Sequence, residues 1–552
     1  MQTDRGALRS IVRHCRKSNA RGYREFYPDP CVENEPECSA GTGHLQARCA
    51  RRLSVGILLG RTRKARFAHL ESPMRLIYRD GIPAHAATAD AMRAVRSRIV
   101  GVGETVPVFG GGKRPYINFD NAASTPVLRE VLATVNDFMR WYSSVHRGSG
   151  FKSKISSHAY DSARRIVCDF VSADMLDHVV IFGKNSSEAI NKLAHRVPLR
   201  RDDVVLLSLL EHHSNDLPWR ARCQVRYIAA DAHGGLDEQD YDRLLEQHKG
   251  RVKLVAITGA SNVTGHVPDV HRLARKAHHA GAQILVDCAQ LAPHRTVEMG
   301  KLCDPEHLDY ISISAHKMYA PFGTGALVGR RDTFEQGEPD YRGGGTVKLV
   351  TLDTVDWADT PDRDEAGSPN VVGAVALATA MKQLKAIGMD AIAQHEAELT
   401  EYALRKLCAI GPLRLYGRAE TNGTSERLGV IPFTMEGMSH FQVAAILSAE
   451  WGIGVRNGCF CAHPYAMRLL GVDEEAIRRV RADMTMQDRR AMPGMVRISF
   501  GMYNTREEVD VLVEALGHIA SGRYRGRYEQ DRGSGEFHPV GWQPGFTEYF
   551  EL

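Results

Sequence analysis

The chain has 552 residues, 43% of them apolar and 25% charged, with 11 cysteines and a formal charge of +5. The length suits two large domains or about three average ones, and no apolar run approaches the roughly 18 residues that would argue for a membrane span. The charge is uneven: residues 1–70 carry 14 Lys/Arg against 6 Asp/Glu, the remainder nets −3, and the main body is therefore no nucleic-acid binder by charge.

Residues 1–84 are basic, rich in Gly and Pro, and lack amphipathic period, which predicts a disordered extension. Cys15, Cys31, Cys38 and Cys49 lie within it at spacings unlike those of a zinc finger. Cysteines that are odd in number and sparse, with no secretory leader, point to free thiols in a reducing cytoplasm. From about residue 86 the pattern tightens. "TADAMRAVRSRIV" has apolar residues three and four apart and predicts a helix, which opens a segment, 85–117, expected to pack on a smaller C-terminal domain. Short apolar runs then alternate with amphipathic stretches: "HVVIFG" (178–183), "DVVLLSLLEHH" (203–213), "KLVAITGASN" (253–262), "AQILVDCAQ" (282–290), "LDYISISAHK" (308–317) and "GTGALVGR" (323–330). Apolar strands separated by helices predict an α/β domain with a mostly parallel sheet, buried on both faces, over 118–369. A smaller α+β domain is expected over 370–522, and 523–552 reads as a tail.

Chemistry gathers at the predicted strand ends, where open α/β sheets bind ligands. Asp287 closes one strand and Gln290 follows it. Ser314, His316 and Lys317 close another. "NSSEAIN" (185–191) sits at a strand-to-helix turn, whose free N–H groups suit an anion. An acid, a lysine and small hydroxyl residues in this order suit pyridoxal 5′-phosphate.

The motifs "FDNAASTP", "SVHRGSG", "EHHSNDLPW", "VDCAQLAPH", "SAHKMYAPFGTGAL", "GSPN", "RNGCFCAHP" and "RISFGMYNT" stand in one order over residues 85–520. In this the chain resembles class V aminotransferase-fold enzymes with the type I fold of pyridoxal-phosphate-dependent transferases, and Suf-type cysteine desulfurases in particular. The resemblance implies that Lys317 forms the Schiff base, Asp287 pairs with the pyridine nitrogen, Gln290 meets the ring 3′-oxygen and His212 stacks on the ring. It implies that Ser186, Ser187, Ser314 and His316 hold the phosphate. Ser368 would reach the phosphate of a partner subunit, so that a homodimer is implied. Asn262 and Arg497 would bind the substrate carboxylate, and His146 and Arg456 would line the substrate pocket. His213, His278 and His279 are read as surface or helix-cap histidines.

In "GVRNGCFCAHP" (454–464), a disulfide between Cys459 and Cys461 would close a very tight loop, and a metal on the pair would have only His463 as a close further ligand. A reactive thiol remains. The resemblance makes Cys461 the residue that accepts sulfur from L-cysteine as a persulfide with release of L-alanine, and implies a sulfur-acceptor protein that takes the sulfur onward. Suf-type enzymes carry two histidines before that cysteine; here Cys459 and Phe460 stand instead, and "GCFC" resembles the molybdenum-cofactor sulfurases. Cys459 is either a packed small residue or a relay for the persulfide. The same fold and lysine also serve aminotransferases, epimerases and selenocysteine lyases, and a sulfur-relay scaffold without catalysis is the reading from another class.

Overall fold

The computed structural model describes residues 89–552, apart from Arg147 and 419–425. The expected disordered extension at 1–84, with its four cysteines, lies outside the described residues. Seven strands form the central sheet: β1 (His178–Gly183), β2 (Val204–Ser208), β3 (Gln224–Ile228), β4 (Val252–Thr258), β5 (Gln283–Asp287), β6 (Tyr310–Ser314) and β7 (Gly325–Arg330). Their spatial order is β1-β7-β6-β5-β4-β2-β3. Every pair is parallel except those that β7 makes with β1 and β6. The apolar runs of the sequence become strands because almost every residue of β1, β2, β4, β5, β6 and β7 is buried, with helices on both faces. The α/β fold expected from the sequence is thus what the chain adopts. Strand β3 was not anticipated: it is one of the two sheet edges, and its exposed Arg226 and Tyr227 interrupt the apolar run.

Helix α1 (Ala89–Arg96) meets both domains. Its Met92 and Val95, with Ile99 just beyond, join the larger core alongside Leu128 and Val131, while Arg96 at its end pairs with Glu508 at 2.7 Å and donates to the Tyr503 carbonyl at 2.9 Å. The hairpin after it, Thr105–Pro107 paired with Lys113–Pro115, leans on the smaller domain as expected, where Phe109 N–H donates to Ala449 at 2.7 Å. Helices α2 (Arg129–Met139), α3 (Phe151–Phe170) and α4 (Ser186–Arg196) cover the sheet. Helix α5 (Val371–Ile387), assigned by sequence to the smaller domain, packs on α2 and α3 within the larger core. The boundary falls inside α6 (Met389–Leu407): Ile392 belongs to the larger core, and Leu399, Ala403 and Leu407 belong to the smaller one. A long helix that serves both cores keeps one continuous period, so the sequence carries no punctuation there.

The smaller domain is an antiparallel sheet of β8 (Leu413–Leu415), β9 (Val430–Met435), β10 (Arg456–Gly458) and β11 (Met495–Ser499), in the order β8-β9-β11-β10, covered by α7 (His440–Trp451) and α8 (Arg506–Ala520). The expected tail is folded. Tyr528–Gln530 and Phe537–Pro539 form a hairpin on α7, and the Glu450 carboxylate accepts from Arg525 N–H (2.9 Å), Gly526 N–H (2.8 Å) and the Tyr528 hydroxyl (3.0 Å). Among the described residues no single helix is long and apolar enough to cross a membrane.

One buried ion pair fixes the loop leading to Ser368. Glu365 accepts two bonds from the Arg164 guanidinium (2.8 and 2.7 Å), one from the Tyr160 hydroxyl (2.7 Å) and one from Phe182 N–H (2.6 Å). Removing one partner of such a pair strands the other charge in the interior. Glu365→Ala is therefore expected to cost about 3–5 kcal/mol, read as a lower denaturant midpoint against Glu365→Gln, which keeps part of the set.

Candidate active site

The carboxyl ends of β1, β2, β4, β5 and β6 meet at one edge of the sheet, as the parallel topology requires. Asp287 ends β5 and is buried. Its Oδ1 accepts from the Ser186 hydroxyl (2.8 Å), the Ser312 hydroxyl (2.9 Å) and Ala289 N–H (3.1 Å), and all three bonds fall on that one oxygen. Among the described residues no hydrogen bond falls on Oδ2, which leaves it available to a cationic N–H. The Ser186 hydroxyl thus orients the acid, and its N–H donates to Ser314 Oγ at 2.9 Å. Ser187 Oγ lies 2.5 Å from Ser214 Oγ at the start of α4.

Lys317 ends the short 3₁₀ turn after β6. Burial pushes its amine down to about 8, with Asp287 opposing and Arg497 adding to the effect. His316 is lowered to about 4 by burial and by Lys317. His212 is likewise lowered to about 4, by burial first and Lys317 next. Its Nδ1 accepts from Ser214 N–H at 3.1 Å, which fixes the neutral ring with its proton on Nε2. Gln290 donates to the Ala122 carbonyl at 2.6 Å.

On the smaller domain, Arg497 of β11 is 3% exposed and Arg456 of β10 is 51% exposed. Both hold Asp120: Arg497 Nη2 reaches Oδ1 at 3.0 Å, and Arg456 Nη2 reaches Oδ2 at 2.9 Å. Arg497 Nη1 also donates to the Asn262 carbonyl at 2.8 Å, while its Nε is buried without an acceptor. Asn262 turns its amide to the Phe460 carbonyl at 2.7 Å, so its side chain serves the cysteine loop. His146 is exposed and set against Tyr160, and Ser368 is exposed on its loop; neither contacts this group within the chain.

Cys461 is exposed, whereas Cys459 is buried. The Cys459 thiol donates to the Pro493 carbonyl at 3.1 Å, and burial raises it to about 11. It is a packed, protonated thiol. Phe460 and Cys461 both have φ of 55°, two consecutive non-glycine residues in the left-handed region. Sequence reading missed what surrounds this loop. His213 is no surface cap: its ring stacks on His463 at 4.9 Å and its N–H donates to the Cys461 carbonyl at 2.8 Å. Nor is His278, which meets Asp309 at 2.9 Å and stacks on His307. Glu211 was passed over as well. Its buried carboxyl, raised to about 8 by burial, takes Ser208 (2.5 Å), Thr258 N–H (2.8 Å) and Asn215 (2.7 Å), and so ties the His212 loop to β2 and β4. An acid directly between an apolar strand and a histidine pair was the available signal.

The sequence pattern of the "Aminotransferase class-V" family matches residues 117–512. The chain belongs to the class-V aminotransferase family. Within this family it is 32% identical over 425 residues to a protein of Streptomyces coelicolor named "Probable cysteine desulfurase", covering 75% of this chain and 93% of that one. It is 32% identical over 411 residues to the cysteine desulfurase of Haloferax volcanii, covering 73% and 89%. Among solved structures, the apo cysteine desulfurase of Thermococcus onnurineus superimposes with a TM-score of 0.65 at 31% identity, covering 74% of this chain and 95% of that one. The class-V fold thus accounts for the large sheet, the smaller lobe and the meeting of both at one site.

Proposed function

We propose that the protein is a pyridoxal-phosphate-dependent cysteine desulfurase, which converts L-cysteine to L-alanine and leaves the sulfur as a persulfide on Cys461. The observation that carries it is the exposed Cys461 thiol, in a loop whose Phe460 carbonyl takes the Asn262 amide at 2.7 Å and whose Phe460 ring lies 4.9 Å from the Arg497 guanidinium. An aminotransferase or an epimerase has no use for that thiol.

The donor set fits the cofactor: a buried acid with one free oxygen for a protonated ring nitrogen, a recessed amine for an aldehyde, a neutral imidazole beside it, and hydroxyls at the start of α4 for a phosphate. When bound, the cofactor withdraws electrons from the substrate Cα. The residues do the rest. Arg497 and Arg456 release Asp120 to grip the substrate carboxylate, one carboxylate replacing another on guanidinium groups suited to it. Asp287 holds the ring nitrogen proton, and Lys317 moves the Cα proton. Cys461, as thiolate, attacks the substrate sulfur; the new S–S bond forms as the C–S bond breaks, and L-cysteine plus thiol becomes L-alanine plus persulfide. Ser368 and the hairpin Val347–Val350/Val355–Trp357, with Leu349 and Leu352 exposed, support a homodimer in which each loop faces the partner. The seven described cysteines are unpaired, in keeping with the cytoplasm as its compartment.

The test is mass spectrometry of Cys461 after incubation with L-cysteine, alongside alanine detection. Added mass of one sulfur on Cys461 with equivalent alanine is expected; alanine turnover with no sulfur on Cys461 refutes it. A second expectation concerns pH. The neutral amine attacks an aldehyde, so a depressed Lys317 enlarges the reactive fraction near neutrality. Capture of added pyridoxal phosphate by cofactor-free protein should climb about tenfold per pH unit and level off near pH 8, where an ordinary lysine would keep climbing to about 10.4. Absorbance stopped-flow reads the profile.

A further inference from the structure

The Cys461 peptide is held in an unfavourable backbone conformation, and the contacts that hold it can be traced. On its amino-terminal side the Phe460 carbonyl takes Asn262 Nδ2 at 2.7 Å, the Phe460 ring lies 4.9 Å under the Arg497 guanidinium, and Ala462 N–H closes back on Cys459 at 2.9 Å. On its carboxyl-terminal side the side-chain contacts come from two histidines. His213 Nε2 accepts from the His463 backbone N–H at 3.2 Å, so that nitrogen is unprotonated and the ring carries its proton on Nδ1. The same Nε2 faces His463 Nδ1 at 3.1 Å, which makes His463 the donor there. The rings lie parallel, 8° apart. From the other end of the same residue, His213 N–H holds the Cys461 carbonyl at 2.8 Å. One residue thus grips the peptide of the nucleophile and the first residue of the helix that follows, His463–Leu470. Burial favours the neutral rings on which this arrangement depends.

We propose that His213 and His463 form a clamp that positions Cys461: the stacked pair holds the left-handed turn in place so that the thiol meets the substrate sulfur without a prior loop rearrangement. The clamp acts on Cys461 through the peptide and the following helix, so both are positioning residues, and the proposal rests on the desulfurase reading above. The strain of two consecutive non-glycine residues in the left-handed region persists only where neighbours over-determine it. With the clamp gone, the turn has Asn262 and Arg497 on one side and loses its ring support on the other.

The experiment uses the full-length holoenzyme, wild type against His463→Leu and His463→Gln. Leucine keeps bulk but removes the donor and the ring stack; glutamine restores a donor. Substrate binding is followed by the cofactor absorbance change on L-cysteine titration, and sulfur transfer by single-turnover mass spectrometry of Cys461. His463→Leu is expected to bind L-cysteine like wild type and to form the persulfide about tenfold to a hundredfold more slowly, with His463→Gln recovering most of the rate. Persulfide formation by His463→Leu at the wild-type rate, or a matched loss of binding and transfer, overturns the clamp. Amide hydrogen exchange over 459–464 tests it apart from catalysis: faster exchange in His463→Leu supports the clamp, and unchanged protection overturns it. A wild-type protein that makes no persulfide at Cys461 refutes the desulfurase reading, and the exchange result then still decides the clamp.

Discussion

Lys317→Ala is expected to abolish turnover of L-cysteine, and the purified variant should lose the yellow colour of the covalently held cofactor while its fold persists. Two roles are removed together. In the proposed function the amine is both the covalent anchor of the cofactor and the base that moves the Cα proton. Loss of a positioned base alone costs about 10²–10⁴-fold, so the residual rate should fall at least that far. Lys317 stands in the 3₁₀ turn after β6, where burial lowers its amine first, with Arg497 adding to the effect and Asp287 opposing it. Borohydride treatment of wild type, then peptide mapping, should find the reduced cofactor on Lys317. Finding it on another lysine would refute the assignment.

Cys461→Ser separates the two halves of the chemistry. The serine variant keeps Lys317, Asp287 and the arginine pair, so its cofactor absorbance should still respond to L-cysteine. A hydroxyl cannot attack the substrate sulfur as a thiolate does. Alanine formation should drop by about 10³-fold or more, as when a nucleophile is removed from a catalytic set, and no sulfur should appear on the loop. Cys459→Ala is the companion. A thiol raised to about 11 and bonded to the Pro493 carbonyl is protonated at neutral pH, and its loss should leave the rate near that of wild type. A large loss in Cys459→Ala would restore the relay reading.

What the sequence made legible follows physical lines. Strands buried on both faces are written as unbroken apolar runs, and six of the seven central strands could be read from such runs; β3, an edge strand half in water, could not. Asp287 and Lys317 could be singled out because each stands at a strand end, and Cys461 because its loop motif resembles that of the desulfurases. The supporting partners were not. Ser186 turns to the acid and Asn262 to the Phe460 carbonyl because of long-range packing that no local spacing encodes. Asp120, quoted within "FDNAASTP" and given no role, links Arg456 and Arg497 across 336 and 377 positions of sequence. The histidine pair joins residues 250 apart. Residue type announces a reagent, whereas its second partners depend on how two lobes come together.

Helix α6 begins among residues of one core and finishes among those of the other. Two bodies that share a single rod cannot swing apart like jaws without bending it, and bending would break the ladder of bonds along its length. Entry and exit of small molecules are then the business of the loops at the rim, and the distance between the lysine and the two guanidinium groups stays nearly constant through the cycle. A spectroscopic ruler spanning the lobes should record little change on adding substrate.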